Sequence, residues 1–200
     1  MNRKQRETIG RLQFSAALSM KDAWCGKGNQ LLRGAKVLLE RLWYYKEKAA
    51  PLLKETRNFA ADDPNWEVVQ RSLLEPTVSL LVAYAIENFL KGAWAHQNHA
   101  KVASASKLPV ELTKDSGHNL NQLCDDIGIV LTPAEREALR VLSEFGRWRG
   151  RYNTDKTADR NAQAWADARN LTLISRKYPG EIDWPDEVNS ILEKIAAKLE

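Results

Sequence analysis

The segment around position 150 combines basic and aromatic side chains that could bind phosphate and stack on bases. Its basic members are Arg147, Arg149, Arg151 and Lys156, with Trp148 and Tyr152 interleaved. Guanidinium groups donate paired N–H bonds to phosphate, and aromatic rings provide flat surfaces for nucleic-acid bases. The pattern therefore predicts a phosphate- and RNA-binding surface. The alternative interpretation is a solvated basic helix end, which the helix dipole favours by itself.

Proton transfer near neutral pH needs a group that titrates there, and the sequence has three histidines for this role. His118 directly precedes a short predicted helix, where it either faces a site or has a structural role at the helix start. We take His118, Arg151 and Tyr152 as the candidate catalytic residues. His96 and His99 could share a metal ion, but the sequence offers no third ligand. An exposed helix end is the favoured interpretation of that pair, and no metal site is predicted.

Glu87 and Lys91 form a charged pair, four positions apart, within an otherwise apolar stretch. Arg149 raises a related question, because helical periodicity places it on the same stripe as the apolar Ala138 and Leu142. A buried arginine needs a carboxylate or carbonyl partner, and Glu87 is the best candidate. Three interpretations stay open: a structural ion pair between helices, a polar pocket inside a bundle, or an arginine that reaches solvent.

Several function classes are excluded by what the sequence lacks. It has no P-loop, no Gly-x-Gly-x-x-Gly motif and no pair of Glu-x-x-His motifs for a di-iron bundle, so no cofactor is predicted. Cys25 and Cys124 show neither zinc spacing nor a nucleophile signature, which favours a reducing, cytoplasmic location. The net charge of +4 indicates a nucleic-acid binder only if the positive charge is concentrated locally.

No targeting or membrane segment is predicted. The N-terminal residues are charged and lack the apolar run of a secretory signal. The longest apolar stretch, Val78 to Ala95, is interrupted by Glu87, Asn88 and Lys91. Such a stretch is typical of a buried helix in a soluble bundle and is too polar for a membrane span.

Helical periodicity recurs along the whole chain and strand-like alternation is almost absent, so the sequence predicts an all-α fold in one domain. The predicted helices are Glu7–Trp24, Asn29–Lys48, Trp66–Gln97, Asn119–Ile127, Pro133–Arg149, Asp159–Ser175 and Pro185–Leu199. Gly26 and Gly28 are expected to separate the first helix from the second. Pro51 is expected to end or kink the second. The small polar residues from Asn98 to Lys107 are expected to form a surface loop.

Local signals specify where some helices start and stop. Thr132, Pro133 and Glu135 fit an N-cap, a first-turn proline and a capping box. Gly128 is expected to close the preceding short helix. The long apolar helix is expected at the centre of a bundle, with Pro76 as a kink or a fresh start.

Four segments resemble those of a protein family. Ala83–Gly92 (AYAIENFLKG) is similar to the long helix of HEPN-like domains, in which small residues, an acid and a lysine recur. Gly117–Leu120 (GHNL), Leu131–Glu135 (LTPAE) and Trp148–Tyr152 (WRGRY) resemble an uncharacterised bacterial HEPN-like group, with Ala134 where that group has an acid. The resemblance covers about residues 77–153 of the 200. It implies a HEPN-like helical bundle over residues 1–200, with a core of about 27–153 and helical extensions over 1–26 and 154–200.

HEPN domains commonly dimerise, and many are metal-independent endoribonucleases of defence, toxin–antitoxin or RNA-processing systems. The resemblance therefore implies a homodimer that binds RNA or a nucleotide, with a toxin or antitoxin protein as a further partner. The family's catalytic motif is an arginine followed, after four to six residues, by a histidine at the dimer cleft.

This chain departs from that motif. The position after four residues is Tyr152 counted from Arg147 and Lys156 counted from Arg151, and no histidine follows His118. Two hypotheses therefore stay open. One is an RNase in which His118 replaces the family's histidine, and the other is an inert module for dimerisation and interaction.

Overall fold

The structure is a computed structural model, and it describes the larger part of the sequence. The described residues are 21–54, 74–104, 112–113, 118–146, 175–178 and 181–200, with the single positions 5, 65, 68 and 109.

The described part of the chain is all-α apart from one small hairpin, which confirms the predicted fold class. Its helices are α1 (Lys21–Lys54), α2 (Glu75–Gln97), α3 (His99–Ala103), α4 (Leu120–Asp126), α5 (Pro133–Glu144) and α6 (Asp186–Leu199). The hairpin pairs β1 (Ser175–Tyr178) with β2 (Glu181–Asp183) in antiparallel register. The hairpin was not predicted, and its first residue, Ser175, was expected to end a helix over Asp159–Ser175. The rest of that expected helix lies outside the described residues.

Helix α2 lies at the centre of the structure, as its apolar surface predicted. It contacts α1, α4, α5 and α6, and its residues Val82, Ile86 and Leu90 are fully inaccessible to solvent. Pro76 lies in the first turn of α2, where a backbone N–H would have no acceptor within the helix. Proline is therefore tolerated at this position, and Pro76 marks the start of a helix and not a kink. Among the described residues, no helix combines the length and apolar character needed to cross a membrane.

The expected break at Gly26 and Gly28 is wrong, because α1 continues through both as one helix of 34 residues. Packing explains why a glycine lies here. A Cβ on Gly28 would be 2.7 Å from Phe89 Cε1 on α2, and a Cβ on Gly92 would be 3.0 Å from Trp24 Cβ. The two glycines therefore let α1 and α2 approach closely. This close packing outweighs the low helix propensity of glycine. Helix α1 also continues past Pro51 to Lys54.

Gly28→Ala is expected to lower the free energy of unfolding by about 1–2 kcal/mol, because overpacking against the buried Phe89 ring outweighs the gain in helix propensity. Gly26→Ala is the matched control, since a Cβ there would meet nothing within 4 Å. That variant is expected to gain up to about 1 kcal/mol. Urea denaturation followed by circular dichroism measures both, and equal shifts in the two variants would contradict the packing argument.

The predicted capping signals of α4 and α5 are confirmed. Thr132 Oγ1 accepts from Glu135 N at 3.2 Å, and Glu135 Oε2 accepts from Thr132 N at 2.6 Å, which completes the capping box. Gly128 follows α4 with a φ of 68°, a conformation that glycine adopts without strain. These caps fix the turn between α4 and α5, and with it the orientation of both helices on α2.

The C-terminal helix α6 shares the core of the other helices. Val188, Ile191 and Ile195 are buried in the same cluster as the apolar side chains of α2, α4 and α5. The region expected as a loop over Asn98–Lys107 contains the short helix α3, because Val102 turns inward and is fully buried. The loop prediction is therefore wrong for His99–Ala103.

Candidate active site

A buried carboxylate on α2 contacts both a lysine and a histidine. Glu87 Oε1 accepts a hydrogen bond from Lys91 Nζ at 2.6 Å, one turn further along the helix. The other carboxylate oxygen, Oε2, lies 2.9 Å from Nδ1 of His118, which precedes α4. We call these three residues the Glu–Lys–His cluster. It joins two of the predicted polar core residues to a predicted catalytic residue.

The cluster spans the boundary between core and solvent. The side chains of Glu87 and Lys91 are 10% and 9% exposed, whereas that of His118 is 36% exposed. The lysine balances the charge of the carboxylate, so neither is buried as an unpaired ion. His118 can therefore be neutral without leaving a net charge in the core. Its imidazole is the part of the cluster that a ligand in solvent can reach.

Hydrogen bonds at the start of α4 fix the backbone that carries His118. Asn119 caps the helix through its side chain. Leu120 N donates to Ser143 Oγ at 3.2 Å, and that hydroxyl donates to Leu139 O on α5 at 2.7 Å. Ser143 was not among the predicted site residues. No local signal could have identified it, because its partner Leu120 is 23 positions away.

The contact with Glu87 decides which nitrogen of a neutral His118 carries the proton. An ionised carboxylate only accepts hydrogen bonds, so Nδ1 donates to it and Nε2 keeps its lone pair. No hydrogen bond joins Nε2 to another of the described residues. An imidazole oriented in this way by a carboxylate can act as a general base at Nε2.

The end of α5 lies against α2 one helical turn before the Glu–Lys–His cluster. Tyr84 Oη donates to Gly146 O at 3.3 Å, and a Cβ on Gly146 would lie 3.7 Å from Ala83 Cβ. Four residues rise about 6 Å along a helix, so Gly146 reaches α2 close to Glu87. Arg147, the first arginine of the basic segment, follows Gly146 directly in the sequence.

The basic segment itself lies outside the described residues. This applies to the predicted phosphate-binding residues Arg147, Arg149, Arg151 and Lys156 and to the catalytic candidate Tyr152. Pairing of Glu87 with an arginine therefore stays a prediction. The expected stripe along α5 is confirmed for Ala138 and Leu142, which are both buried.

The remaining candidates for metal ligation and thiol chemistry are histidines and cysteines. His96 and His99 are exposed, near the end of α2 and at the start of α3. Within the described ranges, no group of three His, Cys, Asp or Glu side chains is placed to hold a metal ion. Cys124 is fully buried, and this burial raises the pKa of its thiol to about 12. Cys124 is therefore not a thiolate nucleophile at neutral pH.

Comparison of the chain with protein families, with curated proteins and with solved structures found no significant match.

Proposed function

We propose that this protein is a HEPN-like protein that binds RNA and cleaves it without a metal ion, with His118 as the general base. The observation that carries the proposal is the 2.9 Å contact between His118 Nδ1 and Glu87 Oε2. In this contact a carboxylate orients a partly exposed imidazole. The chain has no histidine at the position where the family's catalytic motif usually places one. The family itself is supported by the sequence resemblance over about residues 77–153.

The reaction would be the attack of an RNA 2′-hydroxyl on the adjacent phosphorus. Nε2 of His118 accepts the hydroxyl proton while the new O2′–P bond forms and the P–O5′ bond breaks. The products are a 2′,3′-cyclic phosphate and a 5′-oxygen, which takes up a proton from the protonated imidazole or from water. Arg147, Arg149 and Arg151 supply cations that stabilise the charge developing on the phosphate oxygens.

The family's usual setting supplies the remaining parts of the proposal. We place the protein in the cytoplasm as a homodimer, with RNA or a nucleotide bound at the basic segment, in a defence or toxin–antitoxin system. Cys25 and Cys124 are free thiols, which is compatible with a reducing compartment.

Incubation of the purified protein with labelled single-stranded RNA in the presence of EDTA tests the enzymatic part. Cleavage that leaves 2′,3′-cyclic phosphate ends is expected. His118→Ala protein, purified in parallel, controls for a contaminating nuclease. No cleavage by the parent protein, or equal cleavage by the variant, would overturn the assignment of His118 as the base.

The double variant Arg147→Ala/Arg151→Ala tests the binding part. Two lost phosphate contacts are expected to weaken RNA binding about tenfold or more at low salt, with an unchanged circular dichroism spectrum. A gel shift measures the affinity. If this variant binds RNA as tightly as the parent, the basic segment is not the binding surface.

A further inference from the structure

Helix α1 concentrates the positive charge of the described chain. It carries eight basic and three acidic side chains, a net charge of +5, whereas the whole protein has a net charge of +4. The rest of the chain is therefore close to neutral in sum. The small net charge of the whole protein is thus the sum of a strongly basic helix and a nearly neutral remainder.

The charges of α1 are also segregated around its axis. At 100° per residue, one solvent-facing stripe contains only basic charges and no acid. Its charged members, all exposed, are Lys27, Arg33, Arg41 and Lys48. The three acids of the helix fall on one flank of this stripe. From Lys27 to Lys48 the stripe extends about 31 Å along the axis.

Two apolar side chains lie on the same stripe and remain exposed. Val37 is 59% and Tyr44 is 48% exposed, and the Tyr44 ring has Lys48 Nζ at 4.9 Å from its centroid. Arg33 and Arg41 make no ion pair with another described residue. The stripe therefore presents unpaired guanidinium groups beside an accessible aromatic ring, a combination suited to phosphate contact and base stacking.

The stripe is separate from the Glu–Lys–His cluster. Helix α1 packs on α2 through Phe89 and Gly92, and its stripe faces away from that contact. Glu87 lies about 140–160° around the axis of α2 from those two residues. An RNA strand on α1 would therefore occupy a second surface, on the other side of α2 from His118.

We propose that the outer face of α1 is a second RNA-binding surface, which holds the phosphate backbone of a single strand along Lys27, Arg33, Arg41 and Lys48. This inference rests on the proposed function, because it assigns a further contact surface for the same substrate. Sequence-independent phosphate contacts would hold a long strand on the protein while another part of it reaches His118.

The test compares two double variants that remove the same charge. Arg33→Gln/Arg41→Gln changes the stripe. Arg136→Gln/Arg140→Gln is the matched control on α5, where the arginines pair with Asp125 and Glu137. Fluorescence anisotropy with a labelled single-stranded 20-mer RNA gives the affinity of each protein at several salt concentrations. Circular dichroism checks that each variant folds.

The stripe variant is expected to have a salt slope smaller by about 1.4, since each phosphate contact to a single strand contributes roughly 0.7. That corresponds to about 10–30-fold weaker binding at 0.1 M salt. The control should bind as the parent does. An unchanged slope in the stripe variant would overturn the inference.

The same assay separates this inference from the proposed function. If Arg147→Ala/Arg151→Ala weakens binding and the stripe variant does not, the second surface is wrong and the proposed function stands. If the parent protein binds no RNA at all, both are wrong, and an acidic protein segment becomes the better candidate for the basic face.

Discussion

Replacement of Glu87 by glutamine is expected to lower RNA cleavage by about 10²–10⁴-fold with little loss of RNA affinity. The carboxylate accepts from His118 Nδ1 at 2.9 Å, which leaves Nε2 as the proton acceptor. A glutamine can turn its amide N–H towards the imidazole and so stabilise the opposite tautomer, in which Nε2 carries the proton. That tautomer cannot take the proton of a 2′-hydroxyl.

Single-turnover cleavage and gel-shift affinity, measured on the same samples, check this prediction. His118→Ala should lose as much activity as Glu87→Gln, and the double variant no more than either, because the two residues act as one unit. His96→Ala is the control, since that histidine is exposed near the end of the same helix. Full activity in both Glu87→Gln and His118→Ala would contradict a role for the pair.

A structural role for Glu87 must be separated from its role in orienting the imidazole. Loss of the carboxylate leaves Lys91 buried without its partner, which destabilises the fold as well. Cleavage is therefore measured at a temperature where circular dichroism shows the variant fully folded. The ¹⁵N chemical shifts of His118 report the tautomer directly, and only an orienting role predicts that they change.

Features encoded by neighbouring residues could be predicted from the sequence. The capping box of Thr132 and Glu135 depends on residues three apart, and the central position of α2 follows from its apolar surface. Both are confirmed because local hydrogen bonds and local hydrophobicity decide them. The all-α fold class follows from the same kind of signal.

Features that depend on a distant partner could not be predicted. Gly28 suggested a break because glycine weakens an isolated helix, but the Phe89 ring fills the space that its missing side chain leaves. His118 and Glu87 were each identified as candidates, yet nothing in the sequence paired them across 31 positions. Only the packing of α4 against α2 brings them together.

The largest stability effect is expected at Glu135, which the sequence identified only as a capping residue. Its carboxylate is 4% exposed and also accepts hydrogen bonds from Lys194 Nζ at 2.6 Å and from Ser190 Oγ at 2.7 Å, both on α6. One side chain therefore caps α5 and holds the C-terminal helix. Glu135→Gln is expected to lower the free energy of unfolding at pH 7 by about 2–3 kcal/mol, because Lys194 loses the buried negative charge with which it pairs.

The pH dependence of this effect provides its control. Burial by itself raises the pKa of Glu135, but the hydrogen bonds from Lys194, Ser190 and Thr132 outweigh burial and lower the pKa from 4.5 to about 2. The stabilisation is therefore fully present above pH 4.5 and is lost as the pH falls towards 2. Urea denaturation at pH 7 and pH 2.5 should show the gap between parent and Glu135→Gln closing in acid. Glu137→Gln, on the exposed face of α5, should change stability by less than about 0.5 kcal/mol at either pH. A gap that persists in acid would mean that the glutamine disturbs packing and that the ion pair contributes little.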